Sequence, residues 1–239
     1  YSAADFCSDA RREMRQITAS GKVPLLVGGT MLYFRALEHG LSDLPAADEE
    51  VREQLERQAA EIGWPAMHDI LAQKDAQAAA RIHPNDPQRI QRALEVIRVS
   101  GRSMSDLQTD TSGDALNYRI HKIIVSPADR AALHQRIEQR FDLMLKEGLL
   151  DEMKVLHSRS DLNANLPSMR AVGYRQAWDW LEERLTFEQM RERAIIATRQ
   201  LAKRQLTWLR RESVSVWYDL QADGARETIA NALGEFLEA

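Results

Sequence analysis

Long hydrogen-bond donors follow a well-marked helix start at residues 81–92, which read RIHPNDPQRIQR. Pro87 suits the first helical position, where its missing N–H costs nothing, and Asp86 suits the N-cap. Arg89 and Arg92 then project from one face of the first turns. Side chains of this kind at a fixed helix start suit phosphates or base edges. A capped surface helix with solvated arginines is the alternative, and we favour the binding function.

A second cationic segment spans residues 184–211. It holds eight basic residues against two acidic ones, whereas the whole chain of 239 residues has a net charge of −4. Helical spacing places Ala194, Leu201 and Trp208 on one side and the basic residues on the other. Few carboxylates lie within one helical turn of these cations, so we favour phosphate contact over ion pairs with neighbouring elements.

Composition restricts the class of protein. With 44% hydrophobic residues the chain can bury a core, and we expect a cytoplasmic protein because neither a bilayer-length apolar run nor a signal-peptide pattern occurs. The single cysteine, Cys7, lies in a predicted helix without a nearby histidine, which favours packing over catalysis. The six histidines show no paired spacing, so the side chains predict no metal site.

The elements that position these residues begin with a helix over residues 2–20. A continuous apolar run over residues 23–27 predicts a strand buried in a parallel sheet, followed by a Gly-Gly turn and Thr30 at the start of the next helix. Ligands gather at the carboxyl ends of such strands, so Thr30 is a candidate site residue. An ordinary N-cap threonine is the alternative.

The rest of the chain is predicted as a helical module followed by more of the α/β sheet. Helices are predicted over residues 48–62, 65–73, 75–81, 87–99, 103–107, 127–146, 149–157, 168–184, 187–211 and 225–237, and strands over residues 118–125 and 214–220. We therefore divide the chain into an α/β core of residues 1–41 and 116–239 and an inserted helical domain of residues 42–115.

Four motifs in one order resemble those of the bacterial tRNA dimethylallyltransferases, the tRNA isopentenyltransferase family. They are GGTMLY at residues 28–33, HPNDPQR at 83–89, VGYRQ at 172–176 and TRQLAKRQ at 198–205, and the resemblance extends over essentially the whole chain. It implies an α/β fold with a P-loop-NTPase-like parallel sheet core and an inserted all-helical domain. The absence of the zinc-binding tail of the eukaryotic branch points to the bacterial branch.

The resemblance also implies an activity. The family transfers a dimethylallyl group from dimethylallyl diphosphate to the exocyclic amine of adenosine 37, beside the anticodon of tRNA. Magnesium is the implied cofactor, the tRNA anticodon stem-loop is the implied partner, and a monomer that does not bind membranes is expected.

One departure from the family concerns its P-loop, of the form G-x-x-x-x-G-K-[ST], which does not occur in this sequence. Tyr1 matches a point inside family members. The first strand, the P-loop helix and the segment with the aspartate that acts as base in the family are therefore expected to be missing. The chain is predicted to be N-terminally incomplete and inactive by itself.

Site residues are implied by the same resemblance. Thr30 and Arg140 are the implied catalytic residues, and Arg140 is also the implied diphosphate ligand, with an ion pair to Glu138 or Glu147 as the alternative. The implied tRNA contacts are Thr30, Arg52, Gln88, Arg89, Ile90, Gln91, Arg92, Met169, Arg170, Ala171, Val172, Gly173, Tyr174, Lys203, Arg204, Gln205 and Trp208. Tyr174 and Trp208 are candidates for stacking on bases, with core packing as the alternative.

Three other functions are compatible with parts of the pattern. An adenylate isopentenyltransferase acts on a free nucleotide and would need neither the arginine-rich helix start nor the basic helix. A nucleotide or shikimate-type kinase relative would share the sheet but transfer a phosphoryl group. A non-catalytic RNA-binding module would bind RNA without turnover.

Overall fold

The computed structural model describes residues 1–42, 44–109, 116–212 and 215–238. The chain forms two compact units, Tyr1–Tyr118 and Arg119–Ala239. The elements described in the first unit are α1 (Ala3–Ala19), α2 (Met31–His39), α3 (Glu49–Ile62), α4 (Trp64–Lys74), α5 (Ala76–Arg81), α6 (Pro87–Ser100) and α7 (Met104–Thr109). Those described in the second are β1 (Lys122–Val125), α8 (Arg130–Lys146), α9 (Leu149–His157), α10 (Tyr174–Leu181), α11 (Phe187–Leu209), β2 (Ser215–Tyr218) and α12 (Ala225–Glu238).

Side-chain caps set the start of several helices where the sequence predicts them. The Ser2 side chain accepts a hydrogen bond from the Asp5 amide at the start of α1, and the Asp48 carboxylate caps α3 in the same way. At α6 the Asp86 carboxylate accepts from the Arg89 amide at 3.2 Å, with proline in the first turn. The predicted helix entrance at Asp86 is therefore confirmed.

The first unit contains a core shared by α3, α4, α5 and α6. Leu55, Met67, Leu71 and Ile90 contribute side chains that are 0% exposed. These residues occupy helical spacings, so the apolar stripe of each helix faces the same interior. The core therefore fixes which side of α6 remains available to solvent.

The second unit combines a helical core with two parallel strands. Strand β1 pairs with β2 in register from Lys122 opposite Ser215 to Val125 opposite Tyr218. Four helices, α8 to α11, share a core that includes Phe141 and Met190. Within the described residues the fold is thus mostly helical with a small parallel sheet.

The strand predicted over residues 23–27 is wrong. These residues have no regular secondary structure, and Val23, Leu25 and Val27 are 62%, 77% and 86% exposed. A strand requires hydrogen bonds to a neighbour, and in the described part of the chain the sheet pairs β1 with β2 only. An apolar run predicts burial, but it does not supply a pairing partner.

Other boundaries also differ from the predictions. The strand predicted over residues 118–125 begins only at Lys122, and the helix predicted over residues 168–184 begins only at Tyr174, because Gly173 has a φ of 96° that no helix accommodates. The predicted strand over residues 214–220 starts outside the described residues. So do Asp43 and the end of the predicted insertion at residue 115, and the division into core and insertion stays a prediction.

Candidate nucleic-acid and diphosphate sites

The first turn of α6 presents donors to solvent on one side and packs on the other. Arg89 has a side chain that is 71% exposed and lies 3.3 Å from the capping Asp86 carboxylate. Gln88 is exposed as well. Ile90 is 0% exposed and belongs to the core, so its side chain anchors the helix while its neighbours are accessible.

Arg52 and Arg92 meet at one buried carboxylate. The Nε of Arg52 and the Nη1 of Arg92 donate to the two oxygens of Glu95 at 2.8 and 2.7 Å. Burial raises the pKa of Glu95, but hydrogen bonds from Arg92, the Asp48 amide and Arg52 outweigh that effect, and the net pKa is lowered. Glu95 is therefore ionised at neutral pH and holds two of the predicted tRNA-contacting arginines together.

Gln91 lies on the same helix and joins it to α3. Its Nε2 donates to Glu56 Oε1 at 2.9 Å. The amide is exposed, but it already donates this hydrogen bond. The structure therefore gives Gln91 a part in fixing α6 against α3.

Thr30 precedes α2 but does not cap it. Its side chain makes no capping hydrogen bond, and it is exposed. Within the described residues the hydroxyl has no hydrogen-bond partner, so the alternative of an ordinary N-cap threonine is not supported.

In the second unit, residues 169–174 lead into α10, and they differ in how far their side chains are exposed. Met169 is 4% exposed and packs in the core, whereas Arg170 and Ala171 are exposed and Val172 is half-buried. The Gly173 amide donates to Gln176 Oε1 at 2.8 Å. Arg170 is the long cationic side chain that this segment offers to a ligand.

Tyr174 has a constrained hydroxyl. It donates to Glu152 Oε1, and this hydrogen bond, with burial, raises the pKa of the phenol. The ring is half-buried and packs against the core of the second unit. The structure therefore favours the packing alternative for much of this ring.

The basic residues of α11 divide into two groups. Arg191 forms a two-pronged ion pair with Asp142 on α8, and Glu138 bridges Arg191 at 3.0 Å and Arg199 at 3.2 Å. Arg191 thereby lowers the pKa of Asp142 by hydrogen bonding. For Arg191 and Arg199 the alternative of ion pairs with a neighbouring element is correct.

Towards its carboxyl end, α11 presents cations that are not neutralised in this way. Lys203 and Arg204 are exposed, and neither forms an ion pair with any described residue. Gln205 and Trp208 are half-buried beside them. Leu201, predicted on the apolar side, is 39% exposed, because the core contacts of α11 come from Met190, Ala194 and Ile195.

Arg140 lies on α8 and is exposed. Its predicted alternative partner Glu138 is engaged by Arg191 and Arg199 instead. Within the described residues Arg140 forms no ion pair, so its charge is available to an anion.

A cavity of 340 Å³ opens in the second unit, beside the ends of β1 and β2, with Ser126, Arg130, Leu133 and Arg210 among its lining residues. Carboxyl ends of parallel strands are where ligands collect in α/β folds. The cavity is not lined by Arg140. Arg130 and Arg210, together with Leu133, give the cavity a lining that is both cationic and apolar.

The sequence did not point to Glu95 and Asp142 as carboxylates that orient arginines, and Glu138 was expected to pair with Arg140 rather than with Arg191 and Arg199. A glutamate inside the apolar stripe of α6, between Leu94 and Val96, was the available signal. Among the described residues there is no group of three side chains that could hold a metal ion, and no helix is long and apolar enough to cross a membrane.

Known proteins match this chain over most or all of its length. Residues 1–212 match the family model of IPP transferase. The full-length tRNA isopentenylpyrophosphate transferase from Bacillus halodurans is 35% identical with a TM-score of 0.66, and the match covers 100% of this chain and 74% of that one. The corresponding enzyme from Staphylococcus epidermidis is 27% identical with a TM-score of 0.61, covering 100% and 76%.

A eukaryotic dimethylallyltransferase acting on tRNA shares the fold with a TM-score of 0.78 at 24% identity, and the match covers 100% of this chain and 62% of that one. The residues matched by the family model span α1 to α11. This chain belongs to the IPP transferase family.

Proposed function

We propose that this chain acts in the transfer of a dimethylallyl group from dimethylallyl diphosphate to the exocyclic amine of adenosine 37 in tRNA. The chain is a tRNA prenyl transferase by family, and the exposed arginines on α6 and α11 support a large RNA ligand. In this reaction a bond forms between the amine nitrogen and the allylic carbon, and the bond from that carbon to the diphosphate oxygen breaks. The amine loses a proton, and diphosphate leaves with both bonding electrons.

The target base lies in a loop, so the enzyme must hold the flanking backbone while the base is extruded. We assign that task in the first unit to Arg52, Gln88, Arg89 and Arg92, with Gln91 and Ile90 fixing the helix that carries them. In the second unit we assign it to Arg170, Lys203 and Arg204. The single observation that carries the proposal is the first turn of α6, where a capped start directs exposed donors outward.

Arg89→Ala tests this assignment. Its side chain is 71% exposed and pairs, within the described residues, with the capping Asp86, so folding should be nearly unchanged while affinity for an anticodon stem-loop falls about tenfold at moderate salt. Binding is measured by fluorescence anisotropy, and folding by thermal unfolding.

Arg98→Ala is the matched control, since this exposed arginine lies on the same helix nine positions later, on its opposite side. We expect its affinity to match the unsubstituted protein. Equal affinities for Arg89→Ala and the unsubstituted protein would remove the α6 entrance from the tRNA interface.

For the diphosphate we propose Arg140 as a ligand, because it is exposed and unpaired within the described residues. A cation beside the diphosphate stabilises the negative charge that develops on it as it leaves. Arg140→Ala should weaken binding of dimethylallyl diphosphate, measured by isothermal titration calorimetry. Arg130→Ala is the comparison, and a loss confined to Arg130→Ala would move the diphosphate site into the 340 Å³ cavity.

Magnesium and a P-loop-type core complete the proposal. We propose Mg²⁺ as the cofactor, which, bound with the diphosphate, would offset the charge of the leaving group. We also propose that β1 and β2 belong to a larger parallel sheet and that residues 42–115 are an insertion in it. A monomer acting in the cytoplasm, where tRNA is modified, fits this function.

Free-nucleotide prenylation is the second candidate function. It would leave Lys203, Arg204 and Arg89 without a ligand. Competition separates the two candidates, because adenosine monophosphate in large excess should not displace the stem-loop if the arginines on α6 and α11 bind RNA phosphates.

A further inference from the structure

Glu95 is a charged residue in a position normally taken by an apolar one. It lies on α6 between core residues, and its side chain is 0% exposed. Buried carboxylates are rare unless they are paired and hydrogen-bonded. Here every partner is a donor: the Asp48 amide and Arg52 Nε each lie 2.8 Å from Oε1, and Arg92 Nη1 lies 2.7 Å from Oε2.

The carboxylate and the two guanidinium groups form a layered arrangement. Glu95 is inaccessible, whereas the side chain of Arg92 is 31% exposed and that of Arg52 is 44% exposed. The carboxylate therefore lies beneath two guanidinium groups that reach the surface. Because two cations share one anion, the cluster keeps a net positive charge for a ligand.

The arginines come from different helices and have few ways to move. Arg52, on α3, uses Nε and Nη2 toward Glu95, and Arg92, on α6, uses Nη2 to donate to the Pro45 carbonyl at 2.7 Å. A guanidinium carries five N–H donors, and two hydrogen bonds are recorded for each group, so each retains donors for a phosphate.

Stability alone does not account for a carboxylate here. An apolar residue of similar volume is often as stabilising as a buried ion pair or more so. A long arginine side chain that is ordered only on binding loses conformational freedom at that moment, and prior ordering avoids the loss. Glu95 supplies that ordering for two arginines at once.

We propose that Glu95 is a positioning residue for tRNA binding, which acts by holding Arg52 and Arg92 in the geometry that meets the RNA backbone. The inference rests on the proposed function in one respect, namely that these two arginines contact tRNA. Glu95 itself does not contact the RNA.

A double-mutant cycle tests the proposal. Glu95→Gln keeps the shape of the side chain but removes its charge, and we expect the affinity for the anticodon stem-loop to fall about tenfold. In a chain that already carries Arg52→Ala and Arg92→Ala, the same substitution should have no further effect on affinity. Glu53→Gln is the matched control, since Glu53 is an exposed carboxylate on α3 that pairs with Arg57.

Each other outcome overturns the proposal in a distinct way. A rise in affinity with Glu95→Gln would mean that the carboxylate masks arginine charge. An equal fall in both backgrounds would mean that Glu95 acts through the fold alone. Unchanged affinity of the Arg52→Ala and Arg92→Ala chain would reject the proposed tRNA contacts themselves, whatever Glu95 does.

Removal of a buried charge can also unfold the protein, so thermal unfolding accompanies each measurement. If Glu95→Gln is unfolded at the assay temperature, Glu95→Asp replaces it in the cycle. Aspartate retains the charge but is one methylene shorter, so it cannot reach both arginines. Binding that equals the unsubstituted protein in this variant would overturn the positioning role.

Discussion

At Thr30, the absence of a capping hydrogen bond distinguishes a ligand-facing hydroxyl from a structural one. Ser2 and Asp48 accept amide hydrogen bonds at the starts of their helices, whereas Thr30 begins α2 without accepting one. A capping hydroxyl is occupied by the backbone, but an exposed hydroxyl without a partner in the described residues is available to a nucleotide. This supports the predicted contact between Thr30 and the tRNA.

Gly173 is the residue at which the backbone itself is restrictive. Its φ of 96° lies in a region that only glycine adopts readily, while an added Cβ would meet Phe141 at an ordinary 3.8 Å. Gly173→Ala should therefore lower the free energy of unfolding by about 1–3 kcal/mol through backbone strain. Urea denaturation measures the change.

Gly234→Ala is the control with the opposite sign. Gly234 lies inside α12 with open space around its Cα, so alanine should raise stability by up to about 1 kcal/mol. If both substitutions had the same sign, backbone strain at Gly173 would not be the cause.

At the scale of elements, short helices are held by a single buried carboxylate. Asp75 is 5% exposed, and its oxygens accept from the Ala78 amide at 2.9 Å, from the Ser105 hydroxyl at 2.7 Å and from the Ser105 amide at 2.9 Å. It therefore caps α5 and joins it to α7. Burial raises its pKa, but these hydrogen bonds and nearby Arg81 outweigh burial, so the net pKa is lowered.

Asp75 should make stability depend on pH in a defined direction. Because the folded pKa is below the unfolded value of about 3.9, its contribution is present above pH ~4 and is lost as the pH falls through the folded pKa. Asp75→Asn should cost about 1–3 kcal/mol at pH 7 through a weakened buried hydrogen-bond set. The difference from the unsubstituted protein should shrink at the acid end of a series of urea titrations.

Asp69→Asn controls for loss of a carboxylate, because Asp69 is an exposed residue on α4. Its stability difference should stay small from pH 7 to the acid end. A constant difference for Asp75→Asn across the series would contradict an ionised, hydrogen-bonded Asp75.

At the scale of the whole molecule, charge is unevenly distributed. The chain has a net charge of −4 and an isoelectric point near 5.9, so it does not attract RNA as a whole. At physiological salt, exposed charges beyond about 8 Å are largely screened. Local groups of unpaired cations, such as Lys203 with Arg204, therefore decide where a polyanion binds.

Salt dependence measures these contacts directly. Replacing both Lys203 and Arg204 by alanine should reduce the slope of log Kd against log salt by about 1.5, since each phosphate contact releases about 0.7–0.9 counterions. Arg184→Ala is the control, because Arg184 already pairs with Asp179 and Glu182. A slope unchanged in the double variant would exclude this part of α11 from the interface.

Most helices of this protein, and its candidate binding segments, were predictable from local sequence. Asp48, Asp86 and Thr186 cap helices that begin where the sequence predicts, since a cap and the first turn involve residues only three or four positions apart. The four motifs likewise identified the family. The burial of Ile90 also followed from its place on the apolar stripe of α6, whereas that of Met169 was not predictable, because it is buried by elements distant in sequence.

The sequence by itself determined the capped helix starts, the basic end of α11 and the family, because each depends on neighbouring residues or on motif order. Only the tertiary structure decided which cations are neutralised: Arg191 meets Asp142 across 49 positions, and Arg52 meets Glu95 across 43. It also decided that residues 23–27 form no strand, since a strand depends on a partner elsewhere in the chain. Pairing over such separations is set by packing, which local patterns do not encode.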